Sequence, residues 1–179
     1  MGPMTLLTDQ HRIIERMVRQ MDRHMRHMAE ERVIDNRFVD MVVDFFKVYA
    51  NTSHHGKEEN ILFRRLDEKP LSEPHAGLTR HLLKDHKKMR VITELLDRAN
   101  KSYVSGESGR ALDGIIGLLR ELGNMYPSHM EEEEDSFFKE ILEYFSGEER
   151  NDMENAFREY DAELDLEKYS AMVEKMEGQ

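Results

Sequence analysis

The chain contains no cysteine. That excludes disulfides, iron–sulfur clusters, thiolate zinc sites and any mechanism built on a thiol. Prolines are few, four in all, and three of them read as helix boundaries or a kink. No apolar run approaches the roughly 20 residues that a spanning helix needs. The start, MGPMTLLTDQHRII, has no basic region leading into an apolar stretch. A soluble cytoplasmic protein with no membrane partner is expected. Basic residues are outnumbered, 26 against 37 acidic, for a formal net charge of -11. Most such surfaces repel a phosphate backbone, so nucleic acid is not an expected partner. Several catalytic signatures are also missing. There is no glycine-rich phosphate loop, no Gly-x-Ser-x-Gly, no His-Glu-x-x-His and no Glu-x-x-His of the ferritin-like bundles.

What is present points to helices. Leu, Met, Glu, Lys and Arg are plentiful, and no segment alternates apolar with polar. A length of 179 residues suits one domain with a real core. Four long helices are predicted, over about 5–32, 35–67, 72–103 and 110–145. Thr5 and Ser72 read as N-caps, Lys69-Pro70 as a stop, and 105–109 as a turn. Pro127 should kink the fourth helix. The apolar stripes are Ile14, Val18, Met21, Met25 and Met28; Val42, Phe46, Ala50, Ile61 and Leu62; Leu78, Leu82, Met89 and Leu96; and Leu118, Leu122, Met125, Phe137 and Ile141. The expected fold is an all-α, up-down-up-down four-helix bundle over 1–147. Residues 148–179 are a charged tail with one or two short amphipathic helices and no histidine. This helical extension should pack on the bundle or serve contacts in a homodimer.

Nine histidines and thirteen methionines are many for this length. The methionines sit at core spacing and read as filler. The histidines are more telling. His11, His54, His86 and His129 each fall on the apolar stripe of a different helix. A lone histidine there is ordinarily a hydrogen-bonded core residue. Four of them, with Glu58 four residues after His54 and Glu133 four after His129, make a different case. Both glutamates are in phase with the stripes, and a buried carboxylate must be paired or bind a cation. Imidazole and carboxylate together suit iron, and carboxylates can bridge two ions. Six such ligands exceed one tetrahedral zinc site. His55 and Glu59 form a second i, i+4 pair, rotated about 100° from the first. They read as a flanking surface pair, or as outer supports for a ligand. Tyr49 and Tyr126 are core tyrosines or neighbours of the metals. His24, His27 and His75 should face solvent.

These motifs resemble the hemerythrin-like family, with its cation-binding domains named for His-His-Glu. The segment His54-His55-Gly-Lys-Glu58-Glu59-Asn-Ile-Leu-Phe63 carries the likeness most strongly. The stretches around Asp9-Gln-His11, Asp85-His86 and His129-Met-Glu-Glu-Glu133 are similar to the other three helix motifs, so that the likeness covers about 4–145. The resemblance implies two non-haem iron ions, oxo- or hydroxo-bridged, with Glu58 and Glu133 bridging. The expected metal ligands are therefore His11, His54, Glu58, His86, His129 and Glu133. The third helix departs from the oxygen carriers, which place two histidines there at i and i+4. Here only His86 is well phased, with His81 five residues before it. The carriers also use a carboxylate at i+5, which would be Glu134; phase favours Glu133. The expectation is a di-iron protein binding dioxygen, nitric oxide or peroxide, with simple reversible carriage disfavoured. A peroxidase-like or nitric-oxide-reducing enzyme and a metal-stabilised structural bundle are the alternatives.

Overall fold

The computed structural model describes residues 2–106 and 111–178. They form six helices and no strand among the described residues. Helix α1 is Pro3–Glu31. Helix α2 runs without interruption over 36–66. Helix α3 is Glu73–Val104, α4 covers 111–144, and two shorter helices follow, α5 at Gly147–Asp161 and α6 at Glu167–Glu177.

Local chemistry sets most boundaries. Asp35 caps α2 by accepting the Phe38 N–H at 3.0 Å, and Ser72 caps α3 through the His75 N–H. Ser146 and Glu149 form a reciprocal capping box at the start of α5. The first helix differs from expectation. It starts before Thr5, with Gly2 as N-cap and Pro3 in the first turn. Proline's fixed φ and missing N–H suit it to that place. The turn after α3 begins at Ser105, and Gly106 in it has φ of 79°; residues 107–110, with the expected start of α4 at Arg110, lie outside the described residues.

The core divides in two. One cluster holds Ile14, Met17, Met21, Met28, Phe38, Val42, Phe46, Met89, Leu96, Leu119 and Tyr126. The other holds Met4, Leu7, Leu62, Phe63, Leu66, Leu82, Phe137 and Ile141. Each long helix passes from one cluster to the other. Helices α1 and α3 enter from the second cluster, and α2 and α4 from the first. This alternation is the up-down-up-down topology. The core stripe of α1 uses Met17 where Val18 was expected, and that of α4 uses Leu119 and Tyr126 where Leu118 and Met125 were expected. The displaced residues pack at the edge of the core.

The backbone stays helical through Pro127. The departures from α geometry lie elsewhere, in wide π turns at Phe46–His54, Glu58–Phe63 and Glu133–Phe137, and in a tight 3-10 turn at Leu142–Tyr144. Each wide turn advances the chain by an extra residue and re-phases the side chains that follow.

The tail packs on the bundle. Met153 and Phe157 of α5 join the second cluster, and Tyr169, Val173 and Met176 of α6 join the first. The Tyr169 hydroxyl donates to Asp44 at 2.9 Å, and Arg16 pairs with Glu177. At Gly56 the fit is close: a Cβ there would lie 2.5 Å from the Tyr160 hydroxyl, which accepts from the Asn60 side chain. Gly56→Ala should turn Tyr160 outward and cost about 1 kcal/mol, the worth of one hydrogen bond. Amide exchange should quicken in α5 while α3 keeps its protection; unchanged exchange in α5 would refute the close fit.

Candidate metal centre

Between the two apolar clusters lies a layer of polar side chains. His11 sits between Leu7 and Ile14 on α1, His54 between Ala50 and Leu62 on α2, and His86 between Leu82 and Met89 on α3. His129 sits between Tyr126 and Phe137 on α4. All four are at most 2% exposed, and Glu58 and Glu133 are fully buried among them. The structure therefore brings together all six residues that the sequence nominated.

They form two groups that share one carboxylate. The first is His11, His54, Glu58 and Glu133; the second is His55, Glu58, His86 and His129. Within each group the donor atoms lie within 4.8 Å of one another. Glu133 reaches both groups, with Oε2 3.3 Å from His11 Nε2 and Oε1 3.1 Å from His129 Nε2. Glu58 does the same, with Oε2 3.6 Å from His54 Nε2 and 3.5 Å from His86 Nε2.

His55 is the residue that sequence reasoning placed wrongly. It is fully buried. Its ring stacks on His86 at 3.9 Å and meets His129 edge-on at 5.8 Å. A strict 3.6-residue period turns His55 away from the face of His54. The wide turn ending at His54 breaks that period, so two consecutive histidines both face inward. A signal was available: His55 precedes Glu58 by three residues, which also puts the pair on one face.

The supports around the histidines fix their orientation. His11 Nδ1 donates to Glu134 Oε1 at 2.7 Å. His86 Nδ1 donates to Glu59 Oε1 at 2.8 Å, and Arg90 also donates to that oxygen. Glu59 thus supports His86, not its own helix neighbour His55. Carboxylates only accept, so both rings carry their proton on Nδ1 and turn Nε2 to the centre. His81 is half exposed and pairs with Glu132, outside the centre. His24 stacks on Phe38 at 3.8 Å, and His75 bonds Tyr144 and Glu140, so neither is free in solvent as expected. His27 is exposed. Tyr49 packs in the first cluster against Phe45. Tyr126 is fully buried with its hydroxyl unpartnered, and its ring lies 5.9 Å from that of His55.

The electrostatics suit a cation. Burial, and then the charge of Glu133, push the Glu58 pKa well above its ordinary value. Burial opposes the ionised form of Glu133 too, but the surrounding histidines, His129 first, hold it well below. Burial pulls His11 and His86 down; the carboxylates beside each outweigh it, and both pKa values are raised. His54 and His55 are lowered well below theirs, mainly by burial. Both oxygens of Glu58 and both of Glu133 are buried without a hydrogen-bond partner, as is His55 Nε2. Such atoms are costly in a protein interior unless a cation takes them up. Nitrogen and oxygen donors without sulfur fit iron, manganese or zinc.

A family model described as Hemerythrin HHE cation binding domain matches residues 2–141. The chain belongs to this family. Neither the comparison with curated proteins nor that with solved structures gives a match. In this hemerythrin domain the two adjoining His/Glu groups fit a two-metal site. Helices α5 and α6 lie beyond the matched segment. No helix among the described residues is long and apolar enough to cross a membrane.

Proposed function

We propose that this hemerythrin-domain protein holds two iron ions and uses them to bind dioxygen, nitric oxide or a peroxide, for sensing, storage or detoxification. The observation that carries this reading is the span of Glu58 and Glu133, each of which reaches histidines of both groups. Bound iron would supply one-electron redox chemistry and open positions for a small ligand. The chain supplies the rest. His11, His54, His55, His86 and His129, with Glu58 and Glu133, would hold the ions. Phe138 stacks near His11 at 5.8 Å and Phe63 near His86 at 6.0 Å. These apolar walls exclude water and favour a small ligand. Burial raises the Tyr126 pKa, so that its hydroxyl keeps its proton and serves as a donor.

Aerobic reconstitution with ferrous iron should give about two irons per chain and a visible absorption band. A chain that takes up one zinc and no iron in iron-replete cells would sink the reading. The buried Tyr126 donor also favours a second reading, an enzyme that reduces peroxide or nitric oxide. Tyr126→Phe separates the two. For a binder, the iron-loaded variant should release its ligand about five- to tenfold faster, the loss of one hydrogen bond. For an enzyme, turnover should fall while the visible band persists.

A further inference from the structure

A chain of hydrogen bonds runs from the tail to the centre. Asp161 closes α5, outside the matched family segment. Its Oδ1 accepts from Ser53 Oγ at 2.6 Å, and its Oδ2 accepts from Lys57, whose side chain is buried. Lys57 Nζ also donates to Ser53 Oγ at 3.3 Å. Gln10 Nε2 donates to the same hydroxyl oxygen at 2.8 Å. Gln10 Oε1 then lies 3.3 Å from His54 Nδ1.

The direction of every bond follows from the carboxylate. Asp161 can only accept, so Ser53 must give it the hydroxyl proton. The Ser53 oxygen is left to accept, from Lys57 and from the Gln10 amide nitrogen. That turns the amide oxygen of Gln10 toward His54, where it can only accept. His54 must then carry its proton on Nδ1, so that in the metal-free protein its Nε2 accepts from His11 Nε2 at 2.9 Å, the same lone pair that a metal would take. We infer that Asp161 is a positioning residue for the metal centre: the end of helix α5 sets the tautomer of His54 through Ser53 and Gln10. The inference rests on His54 as a ligand, and not on which metal or small molecule the centre takes.

Asp161→Asn has nearly the same shape and reverses the logic. Its oxygen would stay with Lys57 and its amide would donate to Ser53. The Ser53 hydroxyl would then donate to Gln10, the Gln10 amide would turn over, and the His54 proton would move to Nε2, where it blocks a metal. The test is nitrogen NMR of the metal-free protein labelled at its histidine rings. Wild type should show His54 protonated on Nδ1, and Asp161→Asn should move the proton to Nε2. His86, held by Glu59, should not change. Ser53→Ala leaves the Lys57–Asp161 pair intact and cuts the relay, so His54 should become a mixture of tautomers. Loaded with ferrous iron, Asp161→Asn should lose iron to a chelator about tenfold faster, the low end of effects seen for residues that support ligands. His54 remaining protonated on Nδ1 in both variants overturns the inference. So does an equal shift of His54 and His86, which would mark general loosening. A tautomer switch with unchanged iron release removes the positioning role.

Discussion

Glu58→Leu should abolish two-metal binding and at the same time stabilise the metal-free protein. Glu58 is the one residue common to both ligand groups, so its loss damages both at once. Residues that merely orient a metal ligand cost 10–100-fold in affinity; a shared ligand should cost more than ~100-fold. Metal analysis after dialysis should then find less than one ion per chain. The stability gain has a separate cause. Glu58 is fully buried, burial pushes its pKa well above the ordinary value, and neither oxygen has a hydrogen-bond partner. Removing such an orphaned polar group from an interior saves about 1–3 kcal/mol. For a chain of this size each kcal/mol moves Tm by about 2–4 °C. Leucine also joins the apolar wall formed by Leu62 and Leu82. His81→Ala is the control, since His81 lies half exposed outside the centre, and it should change neither metal content nor Tm. Full metal content in Glu58→Leu, or a lowered metal-free Tm, would count against this account.

The stabilisation that metal confers should widen as pH rises. In the metal-free protein Glu58, His11 and His86 all have raised pKa values. A raised group contributes stability that is fully present below its unfolded value and is lost as pH climbs through its folded value. For the two histidines that loss begins above 6.5, their ordinary value. Glu133 acts in the opposite sense: its lowered pKa gives stability present above 4.5 and lost as pH falls through the folded value. His54 and His55, with lowered values, cost stability as pH falls below 6.5, so the metal-free protein should weaken only from about neutral toward alkaline pH. Metal binding needs all three raised groups without their protons, so affinity should climb by up to about tenfold per pH unit for each proton released. Thermal unfolding at pH 5.5, 7 and 8.5, with and without metal, should show the two Tm values diverging. Parallel curves would mean that the buried groups do not share protons with the metal.

Much of this was written in the sequence because two regularities are local. The cap at Ser72 needs only its neighbours within three residues and was read; Thr5, the other residue read as a cap, lies inside α1 because the helix already starts at Pro3. The placement of His11, His54, His86, His129, Glu58 and Glu133 needs only the helical period, and that too was readable. His55 was missed because the period fails where it matters: a wide turn cannot be seen in residue type. Glu59 was paired with the wrong histidine for a related reason. Its partner, His86, comes from another helix, and spacing along one chain says nothing of such a meeting. The tail was harder still. Its apolar residues announce two amphipathic helices, but no periodicity says that Asp161 ends beside Ser53 and Lys57.

The division of the core into two apolar ends has one more consequence. Most small bundles are weakest where the helices fray at their ends. Here the ends are apolar and buried, and the middle is a belt of buried polar groups, several of them without a hydrogen-bond partner until cations arrive. The wide turns, where backbone bonding is least regular, fall at that same belt. Without metal this molecule should loosen at its waist first, with its two halves still packed. Bound ions would act as a keystone, and loading them would tighten the bundle from the inside.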